Sequence, residues 1–313
     1  MSRKKKDFPH LLTRQEINAL PGQEVKEKRT ASSKTYALGN GLYQAVIYPE
    51  PVHFRNSEGE WEDINHALQR DGNVLMDQSG DLSVQLAGIT GTVHNKIEKK
   101  HLLVFAADNG VVAEGVSSAP QSVTLMQTIN LTRAKTGASV LARHFGCKLT
   151  VCDVGVNADI REEAVLNRKI AYGTQNLCKG PAMSREQAMT ALFTGFDLAC
   201  ESDADVMGIG EMGIGNTTTS SAVLAVLLDV EVEAVTGRGG GITDDSFRKK
   251  KDVIRQGIAI NQPDRSDVVD VLAKLGGFDL CAMCGAFLGA AASRRPVVID
   301  GFISAVAALC AYK

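Results

Sequence analysis

The stretch Met207-Gly208-Ile209-Gly210-Glu211-Met212-Gly213-Ile214-Gly215-Asn216-Thr217-Thr218-Thr219 joins a glycine turn to a threonine-rich helix start. Such a junction offers backbone N–H groups and hydroxyls at the positive end of a helix dipole, which suits one phosphate monoester. Two familiar spacings coincide there. Gly208, Gly210 and Gly213 fit G-x-G-x-x-G, and Gly210 and Gly215 have the spacing of a Walker A loop. Asn216 stands where the Walker lysine belongs, so the point charge that a triphosphate's terminal groups need is missing and a nucleoside triphosphatase is disfavoured. Glu211 within an anion-binding loop would be repelled unless it had another task, such as contact with a ribose hydroxyl or a partly cationic ring. The same glycines also fit a turn made only for close packing.

A second glycine loop, Gly237-Arg238-Gly239-Gly240-Gly241-Ile242-Thr243-Asp244-Asp245, opens the helix that carries Arg248 to Lys251. Lys250 could reach back to the same phosphate, although a run of four cations also suits a solvated helix face. Glycine loops from two consecutive strands can cradle one sugar phosphate from two sides. No metal site and no resident cofactor are expected. After residue 100 the only histidines are His101 and His144, and Cys281-x-x-Cys284 falls in an apolar helix without a second ligand pair. No G-x-S-x-G nucleophile elbow occurs.

The elements that must hold these residues alternate between β and α. Apolar runs at Leu102 to Ala107, Leu149 to Cys152, Ala204 to Ile209, Val230 to Val235 and Val297 to Ile299 are expected as buried parallel strands. They end on or near Asp108, Asp153, Glu211, Arg238 and Asp300. Ligands of open α/β sheets bind beyond the carboxyl ends of strands, so these polar residues are expected to converge, though each alone would also fit a helix cap or a loop. Ser184-Arg185-Glu186-Gln187 matches a capping box, with Met189, Leu192, Phe193 and Phe196 following on one helix face. Cys281 to Ala292 is apolar all round, as in a fully buried helix. The fold class read from this pattern is α/β, an open parallel Rossmann-like sheet with helices on both faces.

The first 78 residues are different in character. They hold the only tryptophan, Trp61, and no cysteine. A polar leader of about thirty residues is followed by a small β-rich segment, with a strand at Leu42 to Tyr48 and a hairpin from Val52 to Ile64. We therefore divide the chain into residues 1–78, outside the catalytic fold, and 79–313, one α/β domain.

With 34 Lys and Arg against 36 Asp and Glu, the net charge of −2 gives no general electrostatic case for nucleic acid or an anionic membrane. Hydrophobic residues at 44% and charged residues at 22% exclude wholesale disorder in a chain of 313 residues. No apolar stretch reaches the ~20 residues of a spanning helix, and the basic start at Arg3 to Lys6 lacks the apolar core of a signal peptide. Seven cysteines, all between Cys147 and Cys310, do not resemble a secreted disulfide framework. The expected setting is cytoplasmic, with small-molecule partners and neither nucleic acid nor membrane.

Residues 79–313 resemble the nicotinate-nucleotide:dimethylbenzimidazole phosphoribosyltransferase family. The resemblance rests on Ala106-Ala107-Asp108-Asn109-Gly110-Val111, Glu114-Gly115-Val116-Ser117, Pro120-Gln121, Gly210 to Thr218, Gly237 to Asp245, Gly276-Gly277-Phe278 and Asp300-Gly301-Phe302. It implies transfer of phosphoribose from nicotinate mononucleotide to 5,6-dimethylbenzimidazole, giving α-ribazole 5′-phosphate and nicotinate in cobalamin synthesis. It also implies a homodimer. By the resemblance, Gly213, Gly215, Asn216, Thr217, Gly239 and Gly240 lie in nucleotide-phosphate loops, with Lys250 and Glu211 beside them. Gln121 and Met212 match the benzimidazole pocket, and Asp108, Arg238 and Asp300 complete the expected substrate-binding set. Glu211 is the supporting catalytic carboxylate.

Two departures bear on activity. The family begins with a helical segment where this chain has its β segment, and it continues beyond Asp300-Gly301-Phe302 to a glutamate that serves as principal base. The expectation is a nucleotide site with impaired catalysis, the alternative being a non-catalytic module that binds nicotinate mononucleotide. Separately, residues 33–68 resemble short β segments of RHS-type bacterial surface proteins, a resemblance that implies no chemistry.

Overall fold

The computed structural model describes residues 79–313, with side chains from residue 82, and five short strands ahead of them. These are β1 (Val25–Lys26), β2 (Tyr36–Leu38), β3 (Leu42–Gln44), β4 (His53–Arg55) and β5 (Trp61–Asp63). β2 pairs with β3, and β4 pairs with both β1 and β5, all antiparallel. Apart from β1, the polar leader lies outside the described residues, as does the rest of the RHS-like stretch. By internal contacts the chain divides into two compact units, residues 1–97 with 294–296, and residues 98–293 with 297–313. The first unit includes helix α1 (Ser79–Thr90).

The second unit is built on a parallel sheet formed by β6 (Lys100–Ala107), β7 (Cys147–Gly155), β8 (Val165–Asn167), β9 (Val206–Met212) and β10 (Val297–Val298). Their order is β10-β9-β6-β7-β8, so the chain reverses direction of progress across the sheet at β6. The central strand shows why the sheet is covered on both faces. Leu103, Phe105 and Ala107 enter one buried cluster while Val104 enters another, the period-two alternation of a strand. One face is covered by α2 (Ser122–Thr132) and α3 (Gly137–His144), the other by α9 (Phe278–Ala292) and α10 (Phe302–Tyr312). The remaining helices are α4 (Arg185–Glu201), α5 (Asn216–Leu228), α6 (Val232–Val235), α7 (Asp244–Asn261) and α8 (Val268–Leu275).

Four of the five expected strands form. The other, Val230 to Val235, is instead the four-residue helix α6 with its flanks. Asp229 takes a left-handed conformation (φ 54°) that ends α5, and of Val230 to Val235 only Val232 is buried. The edge beside β9 is already taken by β10, so this Val/Glu alternation has no strand to join. The sheet is completed by β8, three residues long and too short to announce itself by pattern.

Ser184 caps α4 through a reciprocal capping box with Gln187, as its sequence requires. The buried face differs from the expected one. Ala188, Ala191, Gly195 and Ala199 face inward, whereas Phe193 is 54% exposed. The reason is the neighbour. A Cβ at Gly195 would stand 1.8 Å from the Ala282 carbonyl, and one at Gly285 1.8 Å from that of Leu192. At that separation α4 and α9 cross backbone to backbone, and only small residues fit between them.

Candidate active site

The site forms where β6, β7 and β9 end. Gly213 follows β9, and Gly215 (φ 93°) is the N-cap of α5. Glycine provides no side chain for the cap; the Asn216 and Thr218 N–H groups donate to the Gly213 and Gly215 carbonyls at 3.2 and 2.9 Å, so the Thr217 N–H and the positive end of the helix dipole are what this turn can offer a bound anion. A Cβ at Gly213 would lie 2.5 Å from both the Ala107 carbonyl and the Asp279 Oδ2. The tight turn thus brings β9, β6 and α9 together. The Ile214 N–H donates to Thr124 Oγ1 at 3.1 Å, tying the loop to α2.

The second glycine loop follows α6 rather than a strand, but it reaches the first through one buried cation. Lys250, on α7 and 1% exposed, donates from Nζ to Thr217 Oγ1 at 2.8 Å and to the Gly237 carbonyl at 3.0 Å. Neither partner is anionic, and burial lowers the lysine to about 8. Gly239 (φ 55°) closes the approach, since a Cβ there would stand 2.9 Å from Thr217 Oγ1 and 3.5 Å from Lys250 Nζ. Ser118 donates its hydroxyl to the Gly240 carbonyl at 3.2 Å. A helix start, a hydroxyl and an ammonium lacking a carboxylate partner together form an arrangement that could hold an anion.

Beside it lies a carboxylate pair. The Asn216 side-chain amide donates from Nδ2 to Glu211 Oε2 at 2.6 Å and to Asp279 Oδ2 at 2.9 Å. Asp279 is fully buried in the first turn of α9. Burial pushes Glu211 up to about 7, with the Asp279 charge adding to it, and raises Asp279 to about 6. Asn109, also fully buried, lies against Asp279 without a hydrogen bond of good geometry.

A third group links Asp108 to Gln121. Asp108 Oδ2 accepts the Asn157 backbone N–H at 2.8 Å, and Asn157 Nδ2 donates to Gln121 Oε1 at 3.1 Å. Burial raises the Asp108 carboxyl. Met212 packs with Val104, Leu131, Val151 and Val165 on the α2 side of the sheet.

Among the residues expected at the site, Glu211, Gly213, Gly215, Asn216, Thr217, Gly239, Gly240 and Lys250 come together. Arg238 is occupied within its own loop, paired with Asp244, donating to the Ile242 carbonyl at 3.2 Å and stacked over Phe247. Asp153 does not face a ligand position either. It pairs with Lys169 at 2.8 Å and accepts the N–H groups of Gly155 and Val156, fixing the loop after β7. Asp300 is exposed at the end of β10, and no hydrogen bond or ion pair joins it to the other site residues. Cys281 and Cys284 are buried in α9. Asp279 and Asn157 escaped the sequence reading, and Asn109 entered it only within the Ala106 to Val111 block, without a place in the site. The one signal for Asp279 was a lone acid at the head of an otherwise apolar helix.

A phosphoribosyltransferase family model matches residues 78–313. Proteins named nicotinate-nucleotide–dimethylbenzimidazole phosphoribosyltransferase are similar to this chain. That from Clostridium tetani is 47% identical over 236 residues, covering 74% of this chain and 65% of the relative. That from Clostridium acetobutylicum is 48% identical over 236 residues, covering 74% and 67%. The chain thus spans about two thirds of the length of these relatives. The solved structure of CobT from Thermus thermophilus superposes with a TM-score of 0.71 at 36% identity, covering 74% of this chain and 70% of that one. Sheet, glycine loops and sequence similarity agree along the same residues, and on that ground the chain belongs to the nicotinate-nucleotide–dimethylbenzimidazole phosphoribosyltransferase family.

Proposed function

We propose that the chain binds nicotinate mononucleotide and transfers its phosphoribosyl group to 5,6-dimethylbenzimidazole, yielding α-ribazole 5′-phosphate and nicotinate for cobalamin synthesis. The observation that carries this reading is the buried Lys250 ammonium held on Thr217 between two glycine loops. It supplies positive charge without a carboxylate to neutralise it, at a helix start where a phosphate monoester can take three kinds of donor at once.

In this reaction a benzimidazole ring nitrogen attacks C1′ from the face opposite the departing ring. The C1′–N bond breaks, its electron pair returns to the pyridinium nitrogen, and nicotinate leaves. The proton on the second benzimidazole nitrogen passes to a base or to water. Anchoring the phosphate fixes C1′, and a carboxylate next to it stabilises the positive charge that grows there. Glu211, hydrogen-bonded to Asn216 at the helix start, is assigned that role. Gln121 and Met212 are assigned to the benzimidazole side, with Asp108 and Asn157 behind Gln121.

Gly213, Gly215, Asn216, Thr217, Gly239 and Gly240 are assigned to the phosphate and ribose. We assign Arg238 and Asp300 to the rim of the site. No described helix is long and apolar enough to cross a membrane, and we place the protein in the cytoplasm as a homodimer without nucleic-acid partners. The test is calorimetric titration with nicotinate mononucleotide alongside chromatographic assay of α-ribazole 5′-phosphate. Binding with product supports the transferase, binding without product supports a nucleotide-binding module, and no binding refutes both.

A further inference from the structure

Asn216 has one side-chain nitrogen, and both of its hydrogens go to carboxylates, Glu211 Oε2 at 2.6 Å and Asp279 Oδ2 at 2.9 Å. Two acids drawn to one neutral amide face strong repulsion if both are charged, since the fully buried Asp279 cannot call on water. The groups around them do not supply a counter-charge. From the turn after β9 comes the Gly213 N–H to Glu211; from α9 come the Leu280 N–H, at 3.0 Å from Asp279 Oδ1, and the Cys281 thiol. From the loop after β6 comes the neutral Asn109 amide, and from α10 come Ser304, whose hydroxyl donates to the Ile209 carbonyl at 3.3 Å, and the Cys310 thiol near Cys281. The buried Lys250 is used elsewhere, on Thr217 and Gly237, and the partly buried Lys169 pairs with Asp153.

We propose that Glu211 and Asp279 hold one proton between them across the Asn216 amide, which makes Asp279 a positioning residue that governs the charge Glu211 presents to the nucleotide. This extends the function proposed above and rests on it for its purpose. The backbone is shaped around the pair. A Cβ at Gly213 would stand 2.5 Å from Asp279 Oδ2, and one at Gly277 2.3 Å from Asp279 Oδ1 and 2.4 Å from Asn109 Oδ1. The upward displacement of both acids by burial has the same direction. With the site open, a single negative charge spread over two acids lies beside the phosphate cradle, which limits repulsion of an incoming anion. When the cationic pyridinium of the nucleotide arrives, the proton leaves to solvent and the pair becomes doubly charged where positive charge will grow on C1′.

Two measurements test this. In infrared spectra of the free protein at neutral pH, the wild type is expected to show a protonated-carboxyl band that is lost in both Asp279→Asn and Glu211→Gln and kept in Asp108→Asn. A band unchanged in both of the first two variants would overturn the proposal, and the use of two variants covers the failure of either one to fold. In calorimetry with nicotinate mononucleotide in buffers of different ionisation enthalpy near pH ~6.5, the wild type is expected to release close to one proton more than Asp279→Asn, the phosphate's own proton being common to both. Equal release by both would overturn it. If the nucleotide does not bind at all, the proposed function fails while the infrared result still decides the shared proton.

Discussion

Lys250 is costly to bury, since the residue is 1% exposed and its ammonium has only a hydroxyl and a carbonyl as partners. Its folded-state value, about 8, lies below the ordinary 10.5, so the cost is full below pH 8 and is relieved as pH rises toward 10.5. Lys250→Met is therefore expected to raise the melting temperature at pH 7, with the gain shrinking above pH 8 in a calorimetric series. The same change removes a charge-assisted hydrogen bond of roughly 1.5–3 kcal/mol, so nucleotide affinity should fall about 10- to 100-fold. In the wild type, affinity for the nucleotide should weaken as pH climbs through 8 and the ammonium is lost. Glu211 has the opposite sign. Its folded value of about 7 exceeds the ordinary 4.5, so it contributes stability that is present below pH 4.5 and lost as pH rises through 7. Glu211→Gln should flatten the fall in melting temperature over that interval.

The glycine loops are the elements on which the site depends, and their sequence was legible because glycine, threonine and a following helix are local signals. Their meeting was not. Lys250 was one cation in a run of four, and nothing local marks which of them the helix turns inward; only the fold of α7 against Thr217 decides it. Val230 to Val235 misled for a related reason, because β-branched residues form a strand only where a sheet edge is open. Arg238 ends a stretch that looked like a strand and was expected at a ligand, but its guanidinium is used by Asp244 and Phe247. At this scale, Gly239→Ala should push into Thr217 and Lys250 and weaken nucleotide binding, with a lowered melting temperature as well, since alanine at φ 55° costs roughly 1–2 kcal/mol. Gly285→Ala, by contrast, should separate α4 from α9 and cost about 1–3 kcal/mol in a denaturant titration.

Across the whole molecule, the parallel α/β architecture followed from apolar runs alternating with helical periodicity, and four of five strands lie where those runs occur. Buried chemistry was harder to foresee. Asp279 belongs to the site because α9 enters the sheet's carboxyl end with its first turn, a placement that depends on β6, β9 and α5 all being in position. The chain spans about two thirds of its relatives' length, so binding is the property that most directly reports on the residues present. The decisive measurement is titration of the wild type and Lys250→Met with nicotinate mononucleotide and, in parallel, with nicotinate riboside, which lacks the phosphate. The account predicts that the wild type strongly prefers the nucleotide and that Lys250→Met loses this preference. Equal affinity of the wild type for both ligands, or a Lys250→Met variant that still discriminates as the wild type does, would contradict it.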